Sequence, residues 1–190
     1  MGFARLLARG TIGALMVGHG TQKLFGWFGG HGPDGTGQFF DQIGYRPGKT
    51  HALATGAAEA GGGALLAVGL ATPAAAASIT GVMLSAIRSV HWKNGVWSSD
   101  GGFEYNAVLI ASVIALAEMG PGPLSLDARL GIEKKGALWA LGALGAGAVG
   151  ATAAALVSKA QPAAQPEPDP ELADEPTARE EQAEEPVTTV

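Results

Sequence analysis

The chain predicts an all-α, polytopic membrane helix bundle, and three observations carry that prediction. Five segments are long and apolar enough to be read as spans, for which about 20 residues are needed within a range of about 17–25. Only 15% of the 190 residues are charged, against about a quarter in soluble domains, while 47% are hydrophobic. The segment 136–157 has no charge and is apolar on every face, which leaves no polar stripe for water. A soluble bundle with an unusually apolar core is the competing fold. That segment and the charge-free connection 71–73 weigh against it.

The first span runs over about 10–28, and Arg5 and Arg9 precede it. No A-x-A site follows its apolar run, so it reads as an uncleaved span rather than a signal peptide. The second, about 51–70, opens after Pro47 and stops at Thr72 and Pro73. The third, about 74–92, uses Pro73 as a helix starter. The fourth, about 103–119, is short and ends at the Gly120, Pro121, Gly122, Pro123 run. The fifth is 136–157. Between the first two lies a Gly-rich loop, 29–50, in which Phe39, Phe40 and Ile43 suit a short amphipathic turn resting on the membrane surface. With alternating spans, Trp27, Phe28, Phe39, Tyr45, Trp92 and Trp97 gather at one interface as an aromatic belt. Basic residues divide almost evenly between the two sides, so the charge bias does not fix the orientation.

Residues 160–190 read as a disordered tail rich in Pro, Glu and Ala. They hold nine of the seventeen acids (Glu167, Asp169, Glu171, Asp174, Glu175, Glu180, Glu181, Glu184, Glu185) and cannot bury enough apolar area to offset chain entropy. The net charge of −5 therefore describes the tail and not the body. No extended basic patch is present, which argues against a nucleic-acid partner. The absence of cysteine excludes disulfides and thiolate metal sites. The four histidines show no i, i+4 pair, so no metal site is expected.

Ionisable groups at membrane depth are costly, face the bundle interior and mark function by default. His19, Gln22 and Lys23, at i, i+3 and i+4, share one helix face in the stretch GHGTQKLFGWFGG. Taking the aromatic belt as the near side and about 1.5 Å per residue, His19 lies about 13 Å deep, Lys23 about 7 Å, Glu59 about 12 Å and Arg88 about 6 Å. Glu104 opens the fourth span on the same side. Each lies on a small or polar stripe, such as Ser78, Gly81, Ser85, Arg88 and Trp92 in the third span. The expectation is a neutralised cluster, Glu59 and Glu104 against Lys23 and Arg88, with His19, Gln22, His91 and Trp92 beside it. Interhelical ties that only fix packing are the competing account. A haem held by His19 and His91 is disfavoured, because their depths differ by about 11 Å. In the fifth span Gly142, Ala146, Gly150 and Ala154 form a small-residue ridge suited to docking on the bundle or on another copy of the chain.

With these residues in place, the chain resembles the DoxX family of small bacterial membrane proteins over about 5–131. The resemblance rests on GHGTQKLFGWFGG, GTGQFFDQIGYRPG, AEAGGGALLAVGLAT with Glu59, HWKNG at 91–95, GGFEYN at 101–106 and GPGPLSLDARLG at 120–131. It implies a four-helix membrane core over 1–131, to which a fifth membrane helix (132–159) and the acidic tail are additions. It also implies a multi-pass protein of the bacterial cell membrane associated with oxidoreductase systems. Some members are tied to quinone reduction with sulfur compounds, others to a complex with superoxide dismutase and a sulfurtransferase. No catalytic residue carries over. Without cysteine or a dinucleotide motif, redox chemistry requires a bound quinone, a haem or a soluble partner enzyme. Three readings stand: an oxidoreductase-associated subunit with a quinone or small-molecule pocket, a non-catalytic scaffold for redox enzymes, and a proton-coupled solute transporter relaying through Glu59.

Overall fold

Glycine and proline set the boundaries of the helices. In the computed structural model, which describes residues 2–160, α1 (Gly2–Phe25) stops at Gly26, whose φ of 73° lies in the left-handed region that glycine adopts without strain. A tight turn, Trp27–Gly29, leads to α2 (Gly32–Gln42). After Pro47 comes α3 (Gly48–Val68), closed by Gly69 in the left-handed conformation, and Pro73 sits in the first turn of α4 (Thr72–Ala86). The α4 axis continues through a π-turn, Ile87–His91, and a 3₁₀ turn, Trp92–Asn94. Then follow α5 (Glu104–Met119), α6 (Leu126–Leu130) and α7 (Ala137–Ala160). No strand occurs among the described residues, and the chain is all-α as expected. Two of its helices, Thr72–Asn94 and Ala137–Ala160, are long and apolar enough to cross a membrane by length and composition. The acidic segment lies outside the described residues except for Ala160, which ends α7.

Helices α1 and α3 pack antiparallel and in backbone contact. A Cβ on Gly13 would stand 2.5 Å from the Gly63 carbonyl oxygen, and one on Gly20 would stand 2.4 Å from the Ala60 nitrogen. Only glycine permits that approach, the small-residue logic of helix contacts in lipid. On the opposite face of α3, Ser78 of α4 donates to the Ala58 carbonyl at 2.9 Å. Met16, Leu66, Ile79, Val113 and Leu116 fill the space between α1, α3, α4 and α5.

Several sequence expectations are corrected. The 29–50 stretch is not a loop with one turn, because residues 32–42 make a full helix. Pro33 and Asp34 suit its first turn, and Gly37 lets it lie on the backbone of Lys49. Tyr45, expected in the aromatic belt, is buried and packs edge-on against Phe40 and His51, at 5.9 and 5.3 Å between ring centres. Ala146, Gly150 and Ala154 of the expected ridge line a groove with Ala54, Ala58 and Ser78 at the flank of the buried side of α7. That side carries Ala140, Ala143, Gly147, Ala151, Ala155 and Ser158. The helix is rotated by about one residue, about 100°, so that Gly147 meets the Thr80 side chain and the Ala77 carbonyl, where a Cβ would clash at 2.8–2.9 Å. At its end, Ser158 Oγ donates to the Ala154 carbonyl and so accepts from His51 Nε2 at 2.9 Å, tying α7 to the start of α3.

The far end, where α3 turns into α4, is held by two buried charged side chains that periodicity does not reveal. Ala71 has a φ of 48°, unfavourable for a residue with a Cβ. Asp127 secures this turn by accepting from the Ala71 nitrogen at 2.9 Å and the Thr72 nitrogen at 3.3 Å, while its own nitrogen donates to the Gly69 carbonyl at 2.9 Å. The Arg9 guanidinium, taken from sequence as a flanking charge, is instead buried and donates to the carbonyls of Ala67 and Leu124.

Candidate functional site

At the other end of the bundle, the α1–α3 contact brings an ammonium to a carboxylate. Lys23 leaves α1 one turn after His19, and its Nζ lies 2.6 Å from Glu59 Oε2 on α3. The carboxylate is almost fully buried, its side chain 5% exposed, whereas the lysine side chain keeps 23%. The pair is the ion pair at depth among the described residues. The other two, Lys49–Asp34 and Lys135–Glu133, are more exposed.

Glu59 stands between two cavities that share Glu59, Met83 and His91 as walls. One, of about 310 Å³, lies among α1, α3, α4, α5 and the loop before α5, and its polar lining is His19, Glu59, His91, Ser98, Tyr105 and Asn106. The other, of about 240 Å³, lies beneath α2 and is walled by Phe39, Phe40, Ile43, Tyr45, Val82 and Met83, with Lys23 and Glu59 on one side. The first alone reaches the lower end of small-ligand pockets, about 300–1,000 Å³, and the second falls somewhat below it.

Local structure positions each polar group. The π-turn inserts an extra residue into the end of α4, as such turns do at functional sites. It is stabilised where His91 Nδ1 meets the Gly101 carbonyl at 2.7 Å. A carbonyl only accepts, so Nδ1 carries the proton and a neutral ring leaves Nε2 as an acceptor. Buried Asn106 donates from Nδ2 to the Met83 sulfur at 3.3 Å, a weak bond that leaves most of the amide's capacity unused.

The eight residues expected in one cluster separate into four places. His19, Lys23, Glu59 and His91 line the paired cavities. Gln22 turns aside to donate to the Phe28 carbonyl at 3.3 Å and so secures the turn after α1. Arg88 and Trp92 line a cleft with Ala148, Ala151 and Thr152 of α7. The stripe of Ser78, Gly81, Ser85, Arg88 and Trp92 thus runs alongside the fifth helix, and Gly81 there approaches the Gly147 backbone. Glu104 does not meet a base; its Oε2 accepts from the Ser98 nitrogen at 3.1 Å and closes the loop before α5. Sequence reasoning missed Asn106 and placed Tyr45 at the interface. The signal available for Asn106 was an amide one turn into an apolar helix. No cluster of three or more His, Cys, Asp or Glu suited to a metal occurs among the described residues.

Comparison with known proteins gives one match. The DoxX family model fits residues 4–92, from the start of α1 to the end of the π-turn, and so includes His19, Lys23, Glu59 and His91. No curated protein and no solved structure matches the chain significantly. The GGFEYN and GPGPLSLDARLG motifs lie beyond the matched stretch. Residues 4–92, which hold the buried pair and the helices that position it, match the DoxX family, and this match supports membership of the chain in that family.

Proposed function

We propose that the chain is an integral membrane subunit of an oxidoreductase-associated system, multi-pass in the bacterial cell membrane, whose polar centre receives a quinone or another small molecule. The observation that carries this reading is the position of Glu59: buried, paired to Lys23 and bordered by a cavity on each side. A charge at such depth is costly and is retained where it serves a pathway or a ligand.

The membrane reading is supported by DoxX membership and by the two long apolar helices. The remaining spans are α1, α3 and α5. The first two carry the charges of the pair, and the third, at 16 residues, rises about 24 Å and leans on neighbours to complete its crossing. The four-helix core is α1, α3, α4 and α5, and α7 docks against α4 as a fifth. Redox function is supported by the family resemblance. A quinone would supply lipid-soluble electron and proton carriage, while Lys23, Glu59 and His91 would hold and orient it.

The test is purification in mild detergent, with mass spectrometry of extracted small molecules and of co-purifying proteins. A quinone or comparable ligand present in the wild type and depleted in Glu59→Gln is the expected outcome. A ligand-free preparation that still retains redox enzymes would replace this reading with a scaffold. Proton-coupled uptake in liposomes abolished by Glu59→Gln would replace it with a transporter.

A further inference from the structure

Tyr45 is among the most buried aromatic residues in the chain, at 6% exposure, and its hydroxyl has no hydrogen-bond partner among the described residues. Such groups are rare, because a buried donor without an acceptor costs about 1–3 kcal/mol. Tyr45 also lines the cavity beneath α2. Its other walls are aromatic and aliphatic on the α2 side, with the polar side chains of Thr36, Thr55, Glu59, Ser85 and His91 among the rest, and its ammonium is that of Lys23. Ser89, on the same wall, spends its hydroxyl on the Ser85 carbonyl. The cavity therefore pairs an aromatic side with a polar one that includes two donors, the Tyr45 hydroxyl and the Lys23 ammonium. An aromatic side facing such donors suits a neutral ring bearing carbonyl oxygens.

We propose that the ligand's ring occupies the cavity beneath α2 and that the Tyr45 hydroxyl donates a hydrogen bond to one of its carbonyl oxygens. The cavity on the α5 side, lined by His19, Asn106 and Ser98, then serves as the polar vestibule. This assignment rests on the small-molecule reading above and adds to it the chamber, the ligand class and a binding residue.

The experiment is titration of the full chain in mild detergent with a decyl-substituted benzoquinone, read by calorimetry. Tyr45→Phe is expected to weaken binding about 3- to 10-fold, the net effect of one hydrogen bond. Its thermal midpoint without the probe should stay level or rise, because the lost hydroxyl had no partner. Ser89→Phe, which fills the chamber, is expected to abolish binding, and Gly61→Ala, on α3 where a Cβ meets nothing within 4 Å, to preserve it. Wild-type affinity in Tyr45→Phe overturns the assignment. So does retention of binding in Ser89→Phe; in both cases the wider small-molecule reading survives. If the wild type binds no probe and yields no extracted small molecule, the wider reading itself fails, and this one with it.

Discussion

Lys23 of α1 and Glu59 of α3 meet at 2.6 Å across the α1–α3 contact, and they are unequally buried. The inequality sets a direction. Removing one partner of a buried pair costs about 3–5 kcal/mol, but a lysine already 23% exposed can redirect its ammonium outward along its flexible stem. Glu59 has no such exit. Lys23→Met should therefore lower stability by about 3 kcal/mol and Glu59→Gln by about half as much, near the low end of the range for pair breaking. The double change Lys23→Met with Glu59→Leu should recover most of the loss. Thermal unfolding in one detergent decides the order, and a costlier Glu59→Gln would show that the lysine is the trapped group.

The α1–α3 seam gives a second expectation with an internal control. Gly20→Ala places a Cβ against the Ala60 backbone and should cost about 1–3 kcal/mol as overpacking. Gly61→Ala, on α3 where a Cβ meets nothing within 4 Å, should be neutral or should stabilise by about 0.5–1 kcal/mol. Equal melting temperatures for the two variants would contradict the seam.

At the far end, Asp127→Ala removes the acceptor for the Ala71 and Thr72 nitrogens beside the strained Ala71. The expected loss is about 1–3 kcal/mol for buried donors left unmade. Asp127→Asn keeps one acceptor oxygen and should cost less. Limited proteolysis should then cut the 69–72 turn faster in the alanine variant, with the asparagine variant in between.

Docking of α7 can be tested by cross-linking, since the chain has no native cysteine. His51→Cys with Ser158→Cys puts two thiols where the side chains meet at 2.9 Å. A short bifunctional reagent should join them in high yield, and adding Gly147→Leu should reduce the yield several-fold by forcing α7 off Thr80. Absence of the intramolecular product in the parent pair would place α7 elsewhere, for instance against a second copy of the chain.

The sequence by itself determined the helical class, the break at Thr72 and Pro73, and the expectation that Glu59 meets a base inside the bundle. Those features are local: glycine and proline act on their own residue, and depth follows from counting rise along an axis. It also carried the family through motifs within 4–92. Only the tertiary structure decided which cation reached Glu59, because that depends on how each helix is rotated about its axis. A small-residue stripe announces that some helix comes close without naming which. Arg88 and its stripe thus went to α7, and α7 turned Gly147 inward rather than Gly150. The burial of Tyr45, Asn106, Arg9 and Asp127 was decided in the same way, by contacts between residues distant in the chain, and those contacts leave no period for a sequence to display.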